Sequence, residues 1–206
     1  MKLHLVTDGK HSSDLLISIL ADVHRYADAI HIREKDRSAG ELAELVEILA
    51  RKGVPKSKLI MNGRVDAAVR SGLAKVQLPA HGLPVKFVKE HYPYLGAGCS
   101  VHSVKEAIDR EKDGADWLIA GHVFQTDSKN GLEPKGISFL QTICESVSIP
   151  VYAIGGVAPD VLPELKKLKV AGAAVMSYVF SADKPVDAAK ELARKLKGGT
   201  ADEDIL

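Results

Sequence analysis

This chain is poor in cysteine, poor in aromatic residues and has no surplus of either charge. Cysteine occurs only at Cys99 and Cys144 among 206 residues. Two thiols so placed offer no zinc-ligand spacing and no disulfide framework, and they suit a reducing compartment. Lys plus Arg number 28 against 27 Asp plus Glu, a formal net charge of +1. That balance argues against a nucleic-acid partner, whose capture rests on a basic face. No apolar run approaches the roughly 18 residues a membrane span requires. The opening "MKLHLVTDG" lacks the long apolar core of a signal peptide. The expectation is a soluble, cytoplasmic, globular protein with no membrane and no nucleic-acid partner. The sequence leaves a homo-oligomer open.

What the chain does contain is alternation. Short β-branched runs stand at Leu3–Thr7, Ala29–Arg33, Leu59–Asn62, Lys75–Leu78, Tyr94–Cys99, Trp117–Gly121, Val151–Ile154 and Ala173–Ser177. Between them apolar residues recur at helical spacing, as in Leu42, Leu45, Val46 and Leu49, or Val161, Leu162, Leu165 and Leu168. Ser12, Ser13 or Asp14 would cap the first helix, and Pro84, Pro159 and Pro185 stand near helix starts. Eight strand–helix units in this length imply a single-domain α/β protein, a (β/α)8 TIM barrel, over residues 1–196. Residues 197–206, glycine-led and acidic, read as a flexible tail. A doubly wound open sheet is the runner-up, but no Gly-x-Gly-x-x-Gly marks the first strand–helix turn.

A barrel directs attention to the C-terminal ends of its strands, with phosphate often held after the last two. Those exits read Thr7 and Asp8; Arg33, Glu34 and Lys35; Asn62; Ser100 and His102; His122; Gly155 and Gly156; Ser177. "AIGGV" would bring backbone N–H groups close to an anion, and Ala158-Pro159-Asp160 would open a helix behind them. Ser177 stands at the neighbouring exit. The loop Thr126-Asp127-Ser128-Lys129 brings two hydroxyls and an ammonium that would close over the same anion. His122 ends an apolar strand at the mouth, and imidazole both gives and takes a proton near neutrality. His24 and His91 lie in helical patterns and read as structural.

The motifs "HIREK" (31–35), "MNGRVDAAVRSGLAKVQLPAHGLP" (61–84), "GAGCSVHSVKEA" (96–107), "GADWLIAGHVFQTDSK" (114–129), "YAIGGV" (152–157) and "AVMSYVF" (174–180) together resemble the thiamin phosphate synthase superfamily. They run in order through nearly the whole chain. The resemblance implies a (β/α)8 barrel and a thiazole-phosphate site at Thr126, Ser128, Gly156, Met176 and Ser177. Arg33 or Lys35 would hold a carboxylate of the ligand, in the space a synthase uses for the pyrimidine diphosphate, with Asn62 and Ser100 orienting polar atoms.

Four departures stand out. The superfamily reads Asn-Asp-Arg where this chain has Asn62-Gly63-Arg64, and Gly-Gln-Glu-Asp where it has Pro79-Ala80-His81-Gly82. Both missing aspartates would be Mg²⁺ ligands, and glycine has no side-chain oxygen to offer a hard cation. His31 replaces a glutamine, and His122 stands where proline is common. The combination resembles the thiazole tautomerase branch, an isomerase in which His122 would be the acid/base that aromatises a carboxy-dihydrothiazole phosphate. No metal and no cofactor would be needed. The alternatives are a Mg²⁺-dependent thiamin phosphate synthase, a transferase, or a non-catalytic module that binds the thiazole phosphate.

Overall fold

Eight parallel strands close on themselves in sequence order. They are β1 Lys2–Val6, β2 Ala29–Ile32, β3 Leu59–Asn62, β4 Lys75–Leu78, β5 Gly96–Val101, β6 Trp117–Gly121, β7 Val151–Ile154 and β8 Gly172–Val175. Each pairs in parallel with the next, and β1 closes the ring on β8 with Lys2 beside Gly172 and Leu5 beside Val175. The computed structural model describes residues 1–129 and 131–198, with Asp127 described in its backbone alone. The proposed tail falls almost wholly outside the described residues.

Helices wrap the barrel. They are α1 Ser13–Val23, α2 Ala39–Arg51, α3 Val65–Arg70, α4 Val85–His91, α5 Val104–Lys112, α6 Gly136–Ser146, α7 Leu162–Leu165, α8 Ser177–Phe180 and α9 Pro185–Lys197. Ser12 is the cap of α1, its hydroxyl accepting from the Leu15 N–H. Ser38 and Glu41 form a reciprocal capping box at α2, which satisfies two of the otherwise unpaired amides. His24 and His91 are structural as expected, each ring bonding a carbonyl of its own helix, Ala21 at 2.8 Å and Phe87 at 2.9 Å. Cys99 and Cys144 are free thiols. No helix among the described residues is long and apolar enough to cross a membrane.

Alternation along each strand makes two cores. Outward residues such as Leu3, Leu5, Ile30, Met61, Val76, Leu118 and Ala153 meet Leu16, Leu20, Leu42, Leu49, Leu140 and Leu192 of the helices. Inward residues Val6, Ala29, Ile60, Trp117, Ile119, Tyr152 and Ala174 fill the barrel. Polar groups share that interior, namely His4, His31 and Gln77, all buried. His4 Nδ1 lies 3.1 Å from His31 Nε2, and its ring stacks on Tyr152 at 4.0 Å. Trp117 Nε1–H donates to Gln77 Oε1 at 2.8 Å, and Gln77 Nε2 donates to Ser100 Oγ at 3.2 Å. Replacing Gln77 with Leu strands the buried indole N–H, at a cost of about 1–3 kcal/mol. Equilibrium urea unfolding checks this; a Gln77→Leu protein as stable as wild type would mean the indole finds another acceptor.

Candidate functional site

The strand exits lie on one rim because all eight strands are parallel. The exits of β6 and β7 are bolted together. Val123 N–H donates to the Ile154 carbonyl at 2.9 Å and Phe124 N–H to the Gly155 carbonyl at 3.0 Å. A Cβ on Gly155 would meet the His122 backbone, and one on Gly156 would meet Gln125 O and, at 2.8 Å, Phe124 C. Gly156 also sits at φ +65°, where L side chains are strained. Glycine is therefore required where the chain turns from β7 against the loop that follows β6.

This packing places the Thr126–Lys129 segment beside Gly156. Asp127–Lys129 form a short 3₁₀ turn, with Lys129 N–H bonded to the Thr126 carbonyl at 3.1 Å and Ser128 N–H reaching Thr126 Oγ1 at 3.4 Å. Ser128 and Lys129 are exposed, Thr126 is half-buried, and the Asp127 side chain lies outside what is described. Among the described residues, the N–H groups of Gly156, Val157 and Ser177 donate to no protein acceptor. Unpaired amides at neighbouring exits are what an oxyanion needs. The helix expected to open at Pro159 does not do so. Val161 N–H closes a turn on Ala158, and α7 begins only at Leu162 and lasts four residues. The donors left unpaired here are loop amides and hydroxyls rather than a long helix terminus. Met176 precedes Ser177, which opens the short α8 and is itself exposed.

Across the rim, Thr7 Oγ1 accepts from Arg33 N–H at 2.8 Å and ties the exits of β1 and β2. Glu34 is buried; one carboxylate oxygen pairs with Arg37 at 3.2 Å and the other has no partner. Arg37 is also held by Ser13 Oγ at 2.6 Å. The Arg33 and Lys35 side chains make no hydrogen bond or ion pair with described residues; Arg33 is half-buried and Lys35 exposed. Asn62 is half-buried at the end of β3, and Ser100 is fixed by Gln77. His102 Nδ1–H donates to the Gly121 carbonyl at 2.7 Å. His122 is half-buried, with Nε2 3.4 Å from the Leu132 carbonyl. The rim gathers Arg33, Lys35, Asn62, Ser100, His122, Gly156, Met176 and Ser177 from six strand exits. The sequence reading missed Gln77, whose inward direction needed the strand register, and the tie between Thr7 and Arg33.

The residues do not fit the family's divalent cation. Gly63 and Gly82 bring no oxygen ligands, and no group of three His, Cys, Asp or Glu among the described residues could hold a metal. A Cβ at Gly82 would stand 2.9 Å from Pro79 Cδ and 3.4 Å from Cγ, and one at Gly63 3.6 Å from Pro79 Cγ.

The thiamine monophosphate synthase profile matches residues 3–179. A thiamine-phosphate synthase of Pyrococcus furiosus is 36% identical over 193 residues, 93% of each chain. One of Desulfitobacterium hafniense is 35% identical over 198 residues, covering 92% of this chain and 94% of the relative. The solved thiamine phosphate pyrophosphorylase of Pyrococcus furiosus superposes with a TM-score of 0.81 at 34% identity, over 96% of both chains. These relatives correct the expectation of a thiazole tautomerase: proteins this similar over nearly the full length carry a transferase's name, not an isomerase's. The tautomerase expectation leaned on Gly63, Gly82 and His122. Lost metal ligands describe how an anion is neutralised rather than which bond is made, and a histidine at a strand exit does not by itself specify proton transfer. The role of His122 as the tautomerase acid/base goes with that reading. The chain belongs to the thiamine monophosphate synthase family.

Proposed function

We propose that this protein is a thiamine-phosphate synthase, a transferase that joins a pyrimidine methylene, delivered as its diphosphate, to the ring nitrogen of a thiazole phosphate. The observation that carries the reading is two separate groups of unpartnered donors on one rim. The unpaired amides of Gly156, Val157 and Ser177 serve the thiazole phosphate, with Thr126, Ser128 and Lys129 beside them. Arg33 and Lys35, without acidic partners among the described residues, serve the diphosphate. In the reaction the C–O bond to the diphosphate breaks and the oxygen keeps the electron pair. The thiazole nitrogen supplies the pair for the new C–N bond. No proton moves at the reacting atoms, so His122 lines the site without being needed as a base. Holding both substrates in register and stabilising the departing charge supply the rate. Asn62 and Ser100 orient the pyrimidine. A biosynthetic enzyme of this kind works in the cytoplasm.

Purified protein incubated with the pyrimidine diphosphate and the thiazole phosphate will yield thiamin phosphate and one equivalent of pyrophosphate, followed by chromatography. Absence of coupled product under every condition would end the transferase reading. Arg33→Ala and Lys35→Ala will each raise KM for the diphosphate substrate about tenfold or more, since a bond to a charged group contributes roughly 1.5–3 kcal/mol. The KM for the thiazole phosphate will stay near the wild-type value.

A further inference from the structure

We propose that this chain takes its diphosphate ligand as the metal-free anion, because glycines stand at the positions of the family's two metal-binding carboxylates and the Pro79 ring crowds out a side chain at one of them, Gly82. The departures are coupled in space although 19 residues apart in sequence, with α3 and β4 between them. Pro79 lies between Gly63 and Gly82, within contact of a side chain at either position. Restoring an aspartate at Gly82 alone would drive its Cβ to 2.9 Å from Pro79 Cδ and 3.2 Å from the Pro79 carbonyl. The ring cannot swing aside cheaply. Gly82 N–H closes the turn on the Pro79 carbonyl at 2.9 Å, and Arg110 Nη2 holds the Ala80 carbonyl at 3.3 Å. At Gly63 the backbone stands at φ +77°, with its N–H bonded to the Gln77 carbonyl at 2.9 Å.

Neighbouring carboxylates do not replace the lost pair. Asp66 is engaged by Arg64 through two bonds, at 2.9 and 2.7 Å. Glu34 keeps one unpartnered oxygen, but the other is ion-paired to Arg37. Mg²⁺ demands near-octahedral oxygen coordination; one buried oxygen beside a guanidinium is a poor start. Arg33 and Lys35 remain as the charges available to the diphosphate, and a cation bound to it would compete with them. The inference rests on the transferase reading for the identity of the ligand, but its test does not need turnover.

The test is calorimetry of inorganic pyrophosphate binding to the full chain, with EDTA in one arm and excess MgCl2 in the other. Binding in EDTA that Mg²⁺ leaves unchanged or weakens is the expected result. Affinity that rises tenfold or more with Mg²⁺, or pyrophosphate that binds in neither arm, overturns the proposal. A second protein, Gly63→Asp with Pro79→Gly and Gly82→Asp, will gain Mg²⁺-dependent pyrophosphate binding if the lost ligands and the proline ring are the cause. Should that protein not fold, the wild-type titration still decides. If pyrophosphate binds without metal but no thiamin phosphate forms, the transferase reading fails and the metal-free site stands.

Discussion

Acidification from pH 7 to pH 5 will destabilise this protein by about 2 kcal/mol through one histidine, rising to about 3 kcal/mol near pH 4. Burial in the barrel lowers the His4 pKa from 6.5 to about 4; Asp28 opposes the shift, while Lys2 and Lys75 add to it. Burial, and then the His4 ring, hold His31 well below its ordinary value as well. The unfolded chain therefore takes up these protons first as pH falls. Stability is fully present above about pH 6.5 and is lost progressively down to the folded pKa. The geometry explains why the folded state resists. One ring nitrogen must donate across the 3.1 Å His4–His31 contact and the other must accept, so protonating both rings sets two donors face to face. His31 Nδ1 is buried with no partner, and the less costly arrangement leaves it unprotonated, with His31 Nε2–H donating to His4. Urea unfolding at stepped pH measures the slope. The double variant His4→Phe with His31→Gln will show a flat profile between pH 7 and pH 5, whatever its absolute stability. A wild-type profile equally flat would mean that water or a rearranged interior accepts the charge.

That pair was invisible in the sequence, and the reason is general. His4 and His31 stand in short apolar runs, and a run of four or five residues does not say which alternate set faces inward. Only the register does, with Val6 beside His31 and His4 beside Ala29. The barrel itself was legible because strand and helix patterns alternate eight times. β3, β4, β6 and β7 occupy the spans their β-branched runs indicated. β5 does not. The strand-like run begins at Tyr94, an aromatic with strand propensity, yet Tyr94 is 65% exposed and Leu95 N–H turns back to the Tyr92 carbonyl. The strand instead runs through Gly96, Ala97 and Gly98, weak strand formers, because the inward face at Gly98 is filled by the Trp117 indole of the next strand. Propensity lost to tertiary packing there. β8 ends at Val175, and Ser177 belongs to the short helix beyond it. The rim residues were legible from one rule, that exits of parallel strands share an end. The reaction was not, since the same rim suits an isomerase and a transferase until the ligand's leaving group is considered.

Gly156→Ala will cost coupling activity about 10² to 10³ in kcat/KM, the loss seen when one aligned oxyanion donor is removed. Two effects combine. At φ +65° an alanine costs roughly 1–2 kcal/mol, and its Cβ overlaps Gln125 O and the Phe124 backbone. The strand exit and the Thr126–Lys129 segment must part, and the amides of Gly156 and Val157 turn from the anion together. Ser177→Ala serves as the comparison. It removes one exposed hydroxyl while leaving every backbone donor in place, so its loss will be about tenfold, one ordinary hydrogen bond. The measurements are kcat/KM for the thiazole phosphate and calorimetric affinity for it, with thermal unfolding in parallel. Affinity and kcat/KM should fall together in Gly156→Ala, while a melting shift of a few degrees leaves the barrel folded at assay temperature. Affinity near wild type would show that the phosphate lies elsewhere on the rim. In that case Lys129 and Ser128, rather than the strand exit, would have to carry the thiazole phosphate, and Lys129→Ala would lose the affinity that Gly156→Ala keeps.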